Sequence, residues 1–205
     1  MKKTFPVRLL PALALSLGLA ALTPAGAAPT KFEVASSDSL NVVTVESETT
    51  VENFTGRTSK VRGSLTFDPQ ARTGGGTVVI DGASIDTGIA ARNGHMRGAQ
   101  WLNFEKTPDV TFKVTQATAL GGDKYRVVGT LTMNGVTKPL TTEATVRYTA
   151  ASATTRSSGL KGNVLAVSTT FNVKLSDFGV KHRQIDAGRV SNDLALAVRF
   201  VASDQ

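Results

Sequence analysis

The chain has 205 residues, no cysteine and a formal net charge of +7. The missing thiols exclude disulfides, a lipid-modified cysteine and thiolate metal ligands. Lys and Arg are scattered among Asp and Glu, without the basic stripe and interleaved aromatics of a nucleic-acid surface, so no nucleic-acid partner is expected.

Residues 1–27 read as an export signal. Lys2, Lys3 and Arg8 form a positive start, Leu9 to Leu22 is an almost uncharged Leu/Ala run, and Ala25-Gly26-Ala27 supplies small residues for cleavage after Ala27. A retained membrane anchor would need about 20 apolar residues, whereas Pro11 and Pro24 bracket a shorter run. Losing this segment removes three positive charges and no negative ones, which lowers the net charge from +7 to +4. A single domain over 28–205 is expected, periplasmic or secreted, because no second composition regime follows.

From residue 31 onward apolar side chains alternate with Thr, Ser, Lys and Arg, the period of half-wetted antiparallel strands. Val61, Gly63, Leu65 and Phe67 share one face against Arg62, Ser64 and Thr66. Leu194, Leu196, Val198 and Phe200 repeat the pattern near the C-terminus. Gly74-Gly75-Gly76 reads as a turn before Thr77 to Ile80, and Gly121-Gly122-Asp123 as another before Tyr125 to Met133. Asn134-Gly135 is the clearest hairpin, since both residues tolerate the positive φ of a tight type I′ turn. Pro139 then marks an edge or a slight break in the strand from Val136 to Tyr148. Ala150 to Gly162, rich in Ala, Ser, Thr and Gly, reads as a surface loop.

Ile89 to Asn103 breaks the period and fits one or two short, irregular helical turns, with Asp86 or Thr87 capping the start and Gly94 and Gly98 interrupting it. The pattern is all-β with one helical interruption. Periodicity alone allows either a two-sheet sandwich or a closed barrel.

The run SIDTGIAARNGHMRGAQWLNF at 84–104, TPDVTF at 107–112 and GTLTMNGVTKPL at 129–140 together resemble the YceI-like family, with a weaker match from Phe32 to about Ala202 that includes LSDFGV at 175–180. The resemblance implies a lipocalin-like antiparallel eight-stranded β-barrel with a short helical segment near residues 88–103. It implies too that an elongated apolar cavity holds a polyisoprenoid, such as a quinone precursor or prenyl phosphate. This sequence departs from the family pattern at Asn93 and Gln100, which stand where acids are frequent, and at Gly98, where Ser is common. It also has no His among Val45 to Thr49. The head group is therefore left open.

On this resemblance the ligand-binding set is Phe54, Leu65, Phe67, Arg92, His95, Met96, Arg97, Trp101, Phe104, Phe112, Leu131, Met133, Phe171 and Phe178. His95, flanked by Arg92 and Arg97, would face the head group; the plainer alternative is that it bonds a backbone carbonyl and packs the helical segment onto the barrel. The large apolar residues have the ordinary alternative of filling a core. No metal is expected, because His95 and His182 are the only histidines and the acids are dispersed. No nucleophile elbow or phosphate-cradling loop is present, so no enzyme and no cofactor are expected, the lipid being the ligand. An isomerase or hydrolase would need Glu46, Glu48 or Glu143 to point inward. The remaining rival is a structural or stress-related cell-envelope barrel with a filled core. Transient membrane contact and oligomerisation stay open.

Overall fold

Alternating side chains make strands wherever one face can be buried, and the computed structural model, which describes residues 28–205, contains ten of them. They are β1 (Thr30–Val34), β2 (Val42–Glu48), β3 (Asn53–Thr58), β4 (Val61–Asp68), β5 (Thr73–Asp81), β6 (Asp109–Gly121), β7 (Lys124–Met133), β8 (Val136–Thr149), β9 (Val164–Lys174) and β10 (Asp193–Ser203). Every pairing is antiparallel. The order is β1-β4-β5-β6-β7-β8-β9-β10-β2-β3, and β1 also pairs with β10. β1 and β2 therefore act as one interrupted strand beside β10, and β3 and β4 as another beside them. The result is a closed barrel of eight walls.

The interruption between β1 and β2 is held by Asn41, 3% exposed, whose amide donates to the carbonyl of Ala35 at 2.6 Å and accepts from the N–H of Val201 at 3.3 Å. A buried amide satisfied in this way lets the chain bulge without stranding backbone groups.

The expected faces are present. Leu194, Leu196, Val198 and Phe200 of β10 point inward, as do Tyr125, Val127, Leu131 and Met133 of β7. Asn134 and Gly135 take φ of 51° and 73°, and the β7–β8 hairpin closes on them. Pro139 lies in the half of β8 that pairs with β7 alone, because β9 joins β8 only from Ala144 onward.

The glycine run is a correction. Gly74, Gly75 and Gly76 lie inside β5, and the turn is Pro69 to Arg72. At Gly76, with φ of 140°, an added Cβ would stand 2.3 Å from the carbonyl oxygen of Ser64, so the close passage of β4 requires glycine. The segment from 150 to 162 is not wholly loop either, since α2 (Ala153–Ser157) forms there on a Ser152–Thr155 capping box.

In this up-and-down order the connections β2–β3, β5–β6, β7–β8 and β9–β10 gather at one end of the barrel. The β4–β5, β6–β7 and β8–β9 turns and residues 28 and 205 lie at the opposite end. The β5–β6 connection carries α1 (Ala90–Arg97), the expected helical break, and the β9–β10 connection carries α3 (Arg183–Asp186). The position before α1 is Ile89, which gives no side-chain cap, so the expected capping by Asp86 or Thr87 does not occur.

Candidate functional site

The barrel interior holds two apolar chambers in line. The upper one, about 280 Å³, lies beneath α1 at the end where the long connections gather. Strand residues Val43, Val45, Phe54, Ile80, Met133 and Leu196 form its walls, and Met96, Trp101 and Phe104 form its roof. The lower one, about 90 Å³, is lined by Leu65, Phe67, Phe112, Leu131, Phe171 and Phe200 among others. Ile80, Val110 and Leu196 line both and mark where they meet. Toward the far end Phe67 packs edge-on to Tyr125 at 5.8 Å, and Tyr148 lies 6.4 Å from Phe67 and 6.5 Å from Phe32. This aromatic cluster plugs the end away from the mouth.

Polar groups in the upper chamber are few: Glu52, Thr87, Arg92, His95, Gln184 and Arg189. Arg92 donates from Nη2 to Glu52 Oε1 at 2.8 Å, and its guanidinium lies 4.2 Å from the centre of the Phe54 ring. One side chain of α1 is thereby tied to the β2–β3 tip across the mouth.

A second tie runs through Asn93. Its Oδ1 accepts from the N–H of Thr87 at 2.9 Å and from Thr87 Oγ1 at 2.7 Å, while its Nδ2 donates to Asp86 Oδ1 at 2.6 Å. An amide is the side chain that can do both, and an acid at this position would set two carboxylates against each other. The Asn93 hydrogen bond, with help from the N–H of Gly88 and the charge of Arg97, holds the Asp86 carboxyl below the usual carboxylate range. A carboxyl depressed in the fold contributes stability above its unfolded value and loses it as pH falls through the folded value, so this tie weakens below about pH 4. An NMR titration is expected to give Asp86 a midpoint below that of an unstructured Asp, and Asn93→Ala is expected to return it upward. An unchanged midpoint in the variant would remove the tie.

Of the residues singled out from sequence, Phe54, Arg92, His95, Met96, Trp101, Phe104 and Met133 line the upper chamber, and Leu65, Phe67, Phe112, Leu131 and Phe171 line the lower. His95 is exposed at the lip. Two are placed elsewhere. Arg97 turns from the cavity and donates from Nη1 to the carbonyl of Ala83 at 3.3 Å, so it props α1 rather than facing a head group. Phe178, 3% exposed, sits in a 3-10 turn (Leu175–Phe178) against the part of β8 that lacks β9, where it plugs the seam; its carbonyl accepts from Asn134 Nδ2 at 3.0 Å. Glu46, Glu48 and Glu143 are exposed and line neither chamber.

Sequence reasoning missed Glu52, Ile85, Thr87, Ile89, Gln184, Arg189 and Val190. For the last three the signal was the non-alternating stretch between β9 and β10, which must cross an end of any barrel. Glu52 gave none, since an acid beside a strand turn looks like ordinary surface. Trp101 has an unforeseen partner: His182 stacks on it at 4.2 Å with rings 29° apart, and His182 Nδ1 accepts from the N–H of Gln184.

The fold agrees with that of known proteins. A family model described as YceI-like domain matches residues 32–202. A UPF0312 protein of Pseudomonas aeruginosa is 34% identical over 151 residues, 69% of each chain. A UPF0312 protein of Yersinia pestis is 46% identical over 83 residues, 40% of this chain, and the matched part spans only 43% of that relative. Among solved structures, Burkholderia cenocepacia BcnA is similar with a TM-score of 0.70 at 24% identity, covering 82% of this chain and 99% of that one. A polyisoprenoid binding domain from Saccharophagus degradans, described as implicated in plant cell wall breakdown, gives 0.59 at 18% identity, covering 85% and 98%. At such identities the structures speak for the fold, an antiparallel closed barrel. The family model spans nearly the whole barrel and the Pseudomonas relative is matched over more than two thirds of its length, so the chain belongs to the YceI-like domain family.

Proposed function

We propose that this chain is an exported, non-catalytic binding protein that holds a polyisoprenoid or similar long amphiphile in its barrel, for transport or storage in an aqueous compartment. The observation that carries this reading is the pair of apolar chambers in line, open at one end and plugged by aromatics at the other. A barrel with a filled core has no need of such space, because interiors close-pack. The polyisoprenoid-binding description of the Saccharophagus domain supports the class of ligand.

Each five-carbon unit is worth at most about 4 kcal/mol at ~0.8 kcal/mol per buried carbon. The ligand's real alternative is the bilayer, which is also apolar. Transfer between the two is nearly balanced, and only the difference in fit and in head-group contacts decides it. Such a site can therefore load and unload, as a carrier must.

The test is mass spectrometry of an organic extract of the protein, purified without detergent from its own host. A stoichiometric isoprenoid or quinone-like species is expected. An empty extract from folded protein would favour the envelope-module reading instead.

A further inference from the structure

We propose that Glu52 sets the head-group specificity of the mouth: by neutralising Arg92 it admits an uncharged, hydroxyl-bearing head and turns away a phosphorylated one. This rests on the lipid-binding reading above and names the class of ligand at the same site.

Glu52 directly precedes β3 and Phe54 is the second residue of that strand, and both line the upper chamber. The Arg92 guanidinium is held between them, 2.8 Å from the Glu52 carboxylate and 4.2 Å from the ring centre. Its side chain is 20% exposed and that of Glu52 is 43% exposed. Of the two arginines that line the chamber, Arg92 is the less exposed, and its charge is already answered.

A phosphate carries about −1.5 to −2 charges at neutral pH. To reach Arg92 it must lie beside the Glu52 carboxylate, and like charges in a partly desolvated site oppose each other. A neutral hydroxyl meets no such cost. It can donate to a free lone pair of Glu52 and accept from a remaining N–H of Arg92, and Thr87 and Gln184 add further uncharged partners.

Arg189 also lines the chamber and has no ion pair among the described residues, but it is exposed at the lip. Water screens its attraction for an anion, as it does for surface pairs generally. A phosphate held there would gain less than one held against a fixed, half-dry guanidinium.

Geranylgeraniol and geranylgeranyl monophosphate, each presented from phosphatidylcholine vesicles, provide the test, read by the fluorescence of Trp101, the single tryptophan of the chain, which lines the chamber. The wild-type protein is expected to bind the alcohol about tenfold more tightly than the phosphate. Glu52→Gln, nearly isosteric at a partly exposed tip, is expected to tighten phosphate binding about tenfold and so to shift the alcohol-to-phosphate preference toward the phosphate. An unchanged thermal midpoint shows that the variant is folded. Equal binding of the two ligands by wild-type protein, or a ratio that Glu52→Gln leaves unmoved, overturns the role of Glu52 and leaves lipid binding standing. Failure of folded wild-type protein to bind either ligand overturns the lipid reading and this inference with it.

Discussion

Phe112→Asp is expected to empty the barrel of lipid and to lower stability by about 3–5 kcal/mol. Phe112 stands in β6 between Val78 of β5 and Leu131 of β7, and its ring faces the lower chamber. The polar side chains around that chamber are the hydroxyls of Thr66, Thr142 and Thr169, and its lining contains no cation. A carboxylate placed there loses its hydration and gains no partner, while the ring's own contacts disappear. Desolvation would raise the new carboxyl's pKa above its unfolded value, so the penalty grows as pH rises. Denaturant midpoints and an extract of the purified variant provide the measurement. Lys113→Asp is the control: one residue on, the side chain is exposed on the outer face, and stability is expected to stay within about 0.5 kcal/mol with lipid retained. Full lipid content in folded Phe112→Asp protein would take the lower chamber out of the tail site.

This contrast between neighbours depends on strand faces, and the faces were the most legible part of the sequence. Alternation in Leu194 to Phe200 and Val61 to Phe67 is a local property, decided by which side chains can leave water. The β7–β8 hairpin was equally plain, because Asn134 and Gly135 tolerate a conformation that few residue pairs accept. Closure was not legible in the periodicity and was expected only from the family resemblance. It depends on β10 meeting β1 and β2 across most of the chain length, which no local period encodes. Gly74 to Gly76 misled for a related reason: glycine marks both turns and places where another backbone passes close, and only the position of β4 separates the two. Of the candidate site, the apolar lining followed from the inward faces, since a barrel must direct them to its lumen. Phe178 was placed there on the family resemblance and its apolarity, and the half-paired edge of β8 that it covers could not be foreseen. Arg97 and Arg92 are equivalent as residues. What separates them is the carbonyl of Ala83 beside one and the Glu52 carboxylate beside the other.

Phe104→Ala is expected to cost about 3–5 kcal/mol and to loosen α1 above the upper chamber. α1 is eight residues long, buries none of them, contains Gly94 and lacks a side-chain cap, so by itself it would not persist in water. Its polar ties to Glu52, Asp86 and the carbonyl of Ala83 are at least partly exposed, and such ties are individually weak. Burial is supplied by the turns that follow, through Leu102 at 7% exposure and Phe104 at 2%. The Phe104 ring packs so closely on Gly82 that a Cβ there would stand 2.4 Å from it, so the ring locks the β5 end to the roof of the upper chamber. Truncation would enlarge that chamber and leave α1 with its polar ties alone. Amide hydrogen exchange over 90–97 is then expected to lose protection beyond the global change, and bound lipid is expected to leave faster. Uniform loss of protection with lipid release unchanged would make Phe104 a core residue only, and the mouth would then be governed by the Arg92–Glu52 pair instead.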